Sequence, residues 1–149
     1  MKDKIIIKDQ PPGSETGRHI VYSKILDRTF GLTTYTPPAT WYVGLSTTTP
    51  NIDGTGATEP TGNNYSRVGV PNDTSNFSNA ANASKTNLLS WTFPASTGSW
   101  GTITYVGLWD AATIGNLWFF DILTPSRAVA SSTTVLFSAS AVTITMSNS

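Results

Sequence analysis

The sequence predicts an all-β protein: an antiparallel β-sandwich of jelly-roll type, with one short helix near the amino terminus and an extended arm before it. Seven short stretches rich in Val, Ile, Thr and aromatic residues recur along the chain, the composition of pleated, half-buried strands. The segments between them are loaded with Pro, Gly, Asn, Ser and Thr, which is turn chemistry. Only one segment has apolar residues at helical spacing. A length of 149 residues fits one domain with a single core. We place the arm at residues 1–17 and the sandwich at 18–149.

In chain order, "KIIIK" carries Ile5, Ile6 and Ile7 between charged flanks, a short strand. "QPPGSETG" follows, and Pro11 and Pro12 bar a helix there. An isolated apolar strand needs a partner sheet. It either adds to an exposed edge of a neighbouring chain or forms an edge strand in its own sheet. "HIVYSKILDRTFG", His19 to Gly31, is the helix: Ile20 or Val21, Lys24, Ile25 and Phe30 form a stripe, and Gly31 is a C-terminal stop.

The expected strands are Thr40–Ser46, Asn64–Val70, Asn87–Phe93, Gly98–Ala111, Asn116–Leu123, Thr133–Ser138 and Ala141–Ser147. In "GSWGTITYVGLWDA" an extended backbone sets Ile103, Tyr105 and Trp109 on one face and Val106 and Leu108 on the other, so the strand should be buried on both sides. In the last strand Val142, Ile144 and Met146 alternate with Thr143, Thr145 and Ser147. Connectors 47–63 and 71–86 are long for a compact domain, and such loops usually carry function. Recognition is therefore expected there, with Ile52, Asp53 and Phe77 joining Ile5, Ile6 and Ile7 as contact residues.

Composition removes several function classes. Nine basic and nine acidic side chains cancel, leaving no field to gather nucleic acid or anionic lipid. The chain has no cysteine, so disulfides and thiolate metal sites are excluded. "MKDKIIIKDQPPG" is too short in apolar residues for a signal-peptide core, and nothing approaches a membrane-spanning length, so synthesis in the cytoplasm and no membrane partner are expected. Only 12% of residues are charged, with Ser, Thr, Asn and Gly filling the polar positions. Such a surface suits contact with other protein.

The chemistry-bearing residues read as structural. His19 is the single histidine, and no serine has a nucleophile-elbow context, so no acyl-transfer site is expected. Asp110 and Asp121 could face each other as a glycosidase pair, but a turn cap or a partner for Arg67 or Arg127 explains them more simply. "NIDGTGATEP" lacks the Gly-Lys-Ser/Thr ending of a phosphate loop. Asp53 and Glu59 could offer oxygens to calcium, yet a tight turn at Gly54 and Gly56 accounts for the same letters. The expectation is no metal, no cofactor and no catalysis. Most of the five tryptophans are expected in the core or an interface, with Trp100 nearest the surface.

The ordered set "KILDRTFG", "WYVGLST", an acidic glycine loop ending "TEP", "YSRVGV", "FP", "WGTIT" and "AVTITM" resembles a family of small tailed-bacteriophage virion proteins, labelled tail-fibre-like or head-decoration proteins. The likeness covers nearly the whole chain after the arm, and departs at "NLWFFDIL", which is unusually aromatic. It implies a virion component. A projecting fibre needs a long repetitive shaft, which this chain lacks, whereas a capsid cement needs a compact body and an arm. The sequence-level expectation is thus a non-enzymatic decoration protein, a homotrimer on the outer surface of the capsid that binds the major capsid protein and stabilises the assembled shell by mass action. The rival is a tail-tip, collar or fibre-base protein that attaches a fibre or binds host glycan.

Overall fold

The computed structural model describes residues 5–8, 16–31 and 36–146. Within them run β1 (Ile5–Lys8), α1 (Thr16–Thr29), β2 (Thr40–Ser46), β3 (Val68–Pro71), β4 (Ser84–Thr86), β5 (Trp91–Thr92), β6 (Gly101–Trp109), β7 (Leu117–Val129), β8 (Leu136–Phe137) and β9 (Val142–Thr145). The largest sheet has the order β3-β2-β6-β7, antiparallel throughout. A three-stranded sheet β1-β9-β4 and a two-stranded sheet β5-β8 form the opposing layer.

The core lies between these layers. Val43 and Leu45 of β2, Val70 of β3, and Val106 and Leu108 of β6 meet Trp91, Phe93, Phe137 and Val142. Phe93 is a ring hub, with Tyr65, Trp100 and Phe137 all within 6.3 Å, centroid to centroid. A sheet protein poor in leucine fills its interior with aromatics, each of which buries roughly 150–250 Å². The all-β, antiparallel expectation holds. The jelly-roll part is not confirmed: the sheets have four, three and two strands, and β1 runs parallel to β9.

The middle strand is buried on both faces, as its sequence predicts, but the assignment of faces changes halfway. Between Ile103 and Tyr105 the β6–β7 register shifts: Ile103 pairs with Arg127, and Tyr105 with Ile122. A bulge moves side chains to the opposite face. Ile103 therefore joins Val106 and Leu108 in the main core, while Tyr105 packs with Trp109 on the far side. Pro125 lies in the stretch of β7 that the shift leaves without a ladder partner, where a missing N–H costs no hydrogen bond.

Several expected boundaries move. The helix starts at Thr16, three residues ahead of the expected His19. Asn64–Val70 yields a strand only from Val68, because Asn63 and Asn64 hold positive φ. Asn87–Phe93 shrinks to Trp91–Thr92, and connector 71–86 contributes a strand of its own, β4. Most of the arm expected at 1–17 lies outside the described residues. Of its described residues, Thr16 and Gly17 open α1, and Ile5–Lys8 pairs in parallel register with Val142–Thr145 of the same chain, which is the own-sheet alternative. Among the described residues no helix is long and apolar enough to cross a membrane.

Candidate functional site

At one end of the large sheet Tyr42 of β2 pairs with Trp109 of β6, which pairs with Leu117 of β7. Two loops converge on this end. The first, residues 47–59, folds back over the sheet's second face. Thr47 N donates to Thr58 O at 2.9 Å, Thr58 N to Ser46 Oγ at 3.0 Å, and the Thr49 hydroxyl to Tyr105 Oη at 3.3 Å. Ala57 thereby packs on the cluster of Trp109, Leu117 and Phe120. The long connector is a lid on that face, and its apolar contacts are internal.

The second loop, residues 110–116, joins β6 to β7 and is held from below by a buried ion pair. The Arg67 side chain is 7% exposed and Glu59 is 22% exposed, with Nη2 to Oε1 at 2.5 Å and Nε to Oε2 at 3.0 Å. The remaining guanidinium nitrogen, Nη1, donates to Ala111 O at 2.7 Å and Ile114 O at 2.8 Å. The guanidinium carbon stands 4.3 Å from the centroid of the Trp109 ring, a cation–π contact. Tyr65 Oη donates to Glu59 Oε2 at 2.7 Å and accepts from Leu45 N at 2.9 Å, a strand position beyond the end of β3. Burial, reinforced by the Glu59 charge, raises the Tyr65 phenol far above its ordinary range, so it stays a neutral donor.

Gly44 closes this arrangement. A Cβ there would stand 2.6 Å from Trp109 Cζ3 and 3.0 Å from Glu59 Oε2, so only a bare backbone allows ring and carboxylate to approach. The strings "YVGL", "TEP", "YSR" and "GLWD", separate in sequence, are one contact network through Gly44, Glu59, Tyr65, Arg67 and Trp109. Sequence reasoning offered Arg67 as a partner for an aspartate; its partner is Glu59. The signal that could have found it is Arg67 lying among apolar strand residues, where a charge needs a counter-charge.

The loop is also tied across its base. Asp110 Oδ1 accepts from Asn116 N at 2.7 Å, and Oδ2 accepts from Asn116 Nδ2 at 2.8 Å and Trp118 Nε1 at 2.9 Å. Burial pushes the Asp110 carboxyl up, but the N–H groups of Trp118 and Asn116 outweigh it and hold the carboxyl below its ordinary value. Gly115 has φ 71°, and a Cβ on it would fall 2.5 Å from Asp110 Oδ1. At the tip stands Ile114, 89% exposed with φ 58°.

The other expected contact residues scatter. Ile52 is half-buried in the lid; Asp53 is exposed and accepts from Thr55 N and Oγ1, a turn whose hydrogen bonds lower its carboxyl pKa despite slight desolvation. Phe77 is 4% exposed and packs edge-on against Trp91 at 6.0 Å, so it belongs to the core rather than to a partner-facing loop. The side chains of Ile5, Ile6 and Ile7 lie outside the described residues. Trp100 is buried at 3% exposure, with Nε1 donating to Asn63 O at 2.8 Å, which corrects its expected surface position. The half-buried tryptophans are Trp41 and Trp118, edge to face at 5.7 Å.

Neither chemical alternative assembles from these parts. The Asp110 carboxylate is taken up by Asn116 and Trp118, and Asp121 pairs in register with Val106, four residues before Asp110, so their backbones stand about 13 Å apart at strand rise. The Asp53 and Glu59 carboxylates turn to Thr55 and Arg67 instead of converging. Among the described residues no group of three His, Cys, Asp or Glu could hold a metal ion. The network fixes loop geometry and displays backbone and apolar groups.

Beside this end lies a largely apolar cavity of about 340 Å³ between α1, the Trp41–Trp118 pair and the 72–85 segment. The family model described as Podophage GP4 fiber I protein gp80 matches residues 19–145, from within α1 to the end of β9. No curated protein matches the chain.

Proposed function

The chain belongs to the podophage GP4 fiber I protein gp80 family, and from that premise we propose that it is a non-catalytic fibre component which works by adhesion, seating the fibre on the virion through protein–protein contact. The family match over residues 19–145 is the observation that carries this reading. The site supports it. Its charged side chains hold one another and the backbone, leaving a pre-ordered 111–116 tip without charge, and pre-ordering lowers the entropic cost of association.

The capsid-clamping expectation drew part of its support from Ile5–Ile7 as an arm offered to neighbours. The backbone of that segment is paired with β9 of its own chain, which moves the weight to the fibre. Host-glycan binding needs exposed aromatic platforms; Trp91, Trp100 and Trp109 are each under 5% exposed, which leaves the half-buried Trp41 and Trp118 as the tryptophans it could use.

Localisation on intact particles tests the proposal. Fab labelling followed by cryo-electron microscopy should place the subunit on a fibre or at its attachment to the tail. Density over the capsid lattice restores the cement reading, and absence from purified particles removes both.

A further inference from the structure

Two surfaces near the loop-bearing end are complementary and belong to the same chain. The first is the tip of loop 110–116. Ile114 is β-branched, yet it sits at φ 58° and is 89% exposed. A β-branched side chain at positive φ is a backbone outlier, and such strain persists only where surrounding structure enforces it. Here Arg67 grips the carbonyls of Ala111 and Ile114, and Asp110 ties the loop base. At 89% exposure the Ile114 side chain buries almost nothing against the described residues. The tip carries no charged side chain between Ala111 and Asn116, and among the described residues the carbonyls of Ala112 and Thr113 accept no hydrogen bond.

The second surface is the apolar cavity, lined among others by Ile25, Trp41, Trp118 and Ala80. At about 340 Å³ it has room for about ten waters at liquid volume, ample for a branched four-carbon side chain and part of its turn. Lys24 and Lys85 also line it, and among the described residues neither makes an ion pair. Ammonium donors beside an apolar cavity match an apolar side chain flanked by open carbonyls.

We propose that the Ile114 tip of one copy inserts into the cavity between α1 and the Trp41–Trp118 pair of a second copy, with Lys24 and Lys85 meeting the Ala112 and Thr113 carbonyls. Knob and hole are different surfaces: exchanged reciprocally they close a two-fold dimer, and unreciprocated the contact runs head-to-tail into a ring or a filament. This deepens the adhesive reading by naming a copy of the chain as one partner. Arg67 is a positioning residue for the knob.

The test is sedimentation velocity on the full chain at its highest soluble concentration, using wild type, the knob variant Ile114→Asp and the hole variant Ala80→Arg. Both positions are exposed, and near-ultraviolet circular dichroism reports whether each variant keeps its fold. Ile114→Gly serves as a second knob variant, because glycine adopts the same backbone without strain. Wild type should associate and each variant should be monomeric. An equimolar mixture of Ile114→Asp and Ala80→Arg should form a one-to-one heterodimer and stop there, since one intact knob and one intact hole remain. A monomeric wild type, variants that associate as wild type does, or a mixture that stays monomeric would overturn the proposal. Failure here is separable from failure of the fibre assignment: a monomer found on fibres sinks only the knob, and a self-associating chain missing from virions sinks only the fibre.

Discussion

Replacing Glu59 with Gln keeps the shape of the side chain and removes one charge, so it isolates the ion pair under the loop. Arg67 would keep its bonds to Ala111 O and Ile114 O and its place over Trp109, but at 7% exposure it would have no counter-charge. Removing one partner of a buried pair costs about 3–5 kcal/mol, because the remaining charge stays desolvated. Glu59 is 22% exposed, so some solvent reaches the pair and the low end applies, about 3 kcal/mol. For 149 residues, an unfolding entropy of about 2.1 cal/mol/K per residue turns this into a fall in Tm of about 10 °C.

Urea unfolding followed by tryptophan emission, with calorimetry beside it, measures both quantities. The loss should change little with added salt, since a desolvated pair is poorly screened. The double variant Glu59→Gln/Arg67→Met should be less destabilised than Glu59→Gln alone, because no orphaned charge remains. A loss below about 1 kcal/mol, the range of a solvent-exposed pair, would show that the pair does not hold the loop.

Three further outcomes follow from the same geometry. Gly44→Ala places a methyl 2.6 Å from the Trp109 ring and should cost about 1–3 kcal/mol, whereas Gly69→Ala on β3 meets Thr40 at an ordinary 3.5 Å and should be neutral or slightly stabilising; urea midpoints compare them. The Asp110 carboxyl has a lowered pKa in the folded state, so its stabilisation is present above the unfolded value of about 4 and is lost as pH falls through the folded value. Melting curves from neutral pH to about pH 3 should therefore fall more steeply for wild type than for Asp110→Asn, and equal slopes would remove Asp110 as the tie. Ile114→Gly should raise monomer stability by about 0.5–1 kcal/mol, the left-handed penalty relieved less the added chain entropy. A drop in Tm would mean that the isoleucine packs within the monomer.

How much was legible in the sequence depends on the range of the cause. Thr40–Ser46 forms a strand over the whole span expected, because alternation and burial agree locally. The double-sided burial of β6 was readable from Val106, Leu108 and Trp109, but the bulge that moves Ile103 to the other face was not, since register depends on what β7 offers opposite. Trp100 reads as exposed from its Gly and Ser neighbours; its burial comes from Asn63, 37 residues away, whose carbonyl receives the indole N–H. Asn87 was invisible for the same reason. It reads as the polar first residue of an expected strand, yet it is fully buried and bonds to Leu89, Ser138 and Val142. The Glu59–Arg67 pairing across "TEP" and "YSR" is a tertiary fact that composition could only hint at.

The placement of charge is consistent with adhesion by shape. In a chain with only 12% charged residues, the Arg67 side chain just before β3 lies almost wholly out of water, and its three nitrogens serve three partners: Glu59, the Ala111 carbonyl and the Ile114 carbonyl. A lysine has the charge but lacks the planar fork, so it could not hold carboxylate and loop together while lying flat on Trp109. Desolvating a guanidinium is costly, and apolar residues of similar volume could give comparable stability. What apolar residues could not supply is direction: two carbonyls fixed from below set the backbone of a loop whose own sequence, Ala-Ala-Thr-Ile-Gly, has little to order it. Arg67→Lys should therefore leave the strands in place and loosen the loop, read as faster amide exchange confined to residues 111–116. Exchange rising equally across β6 would assign the arginine to sheet stability alone.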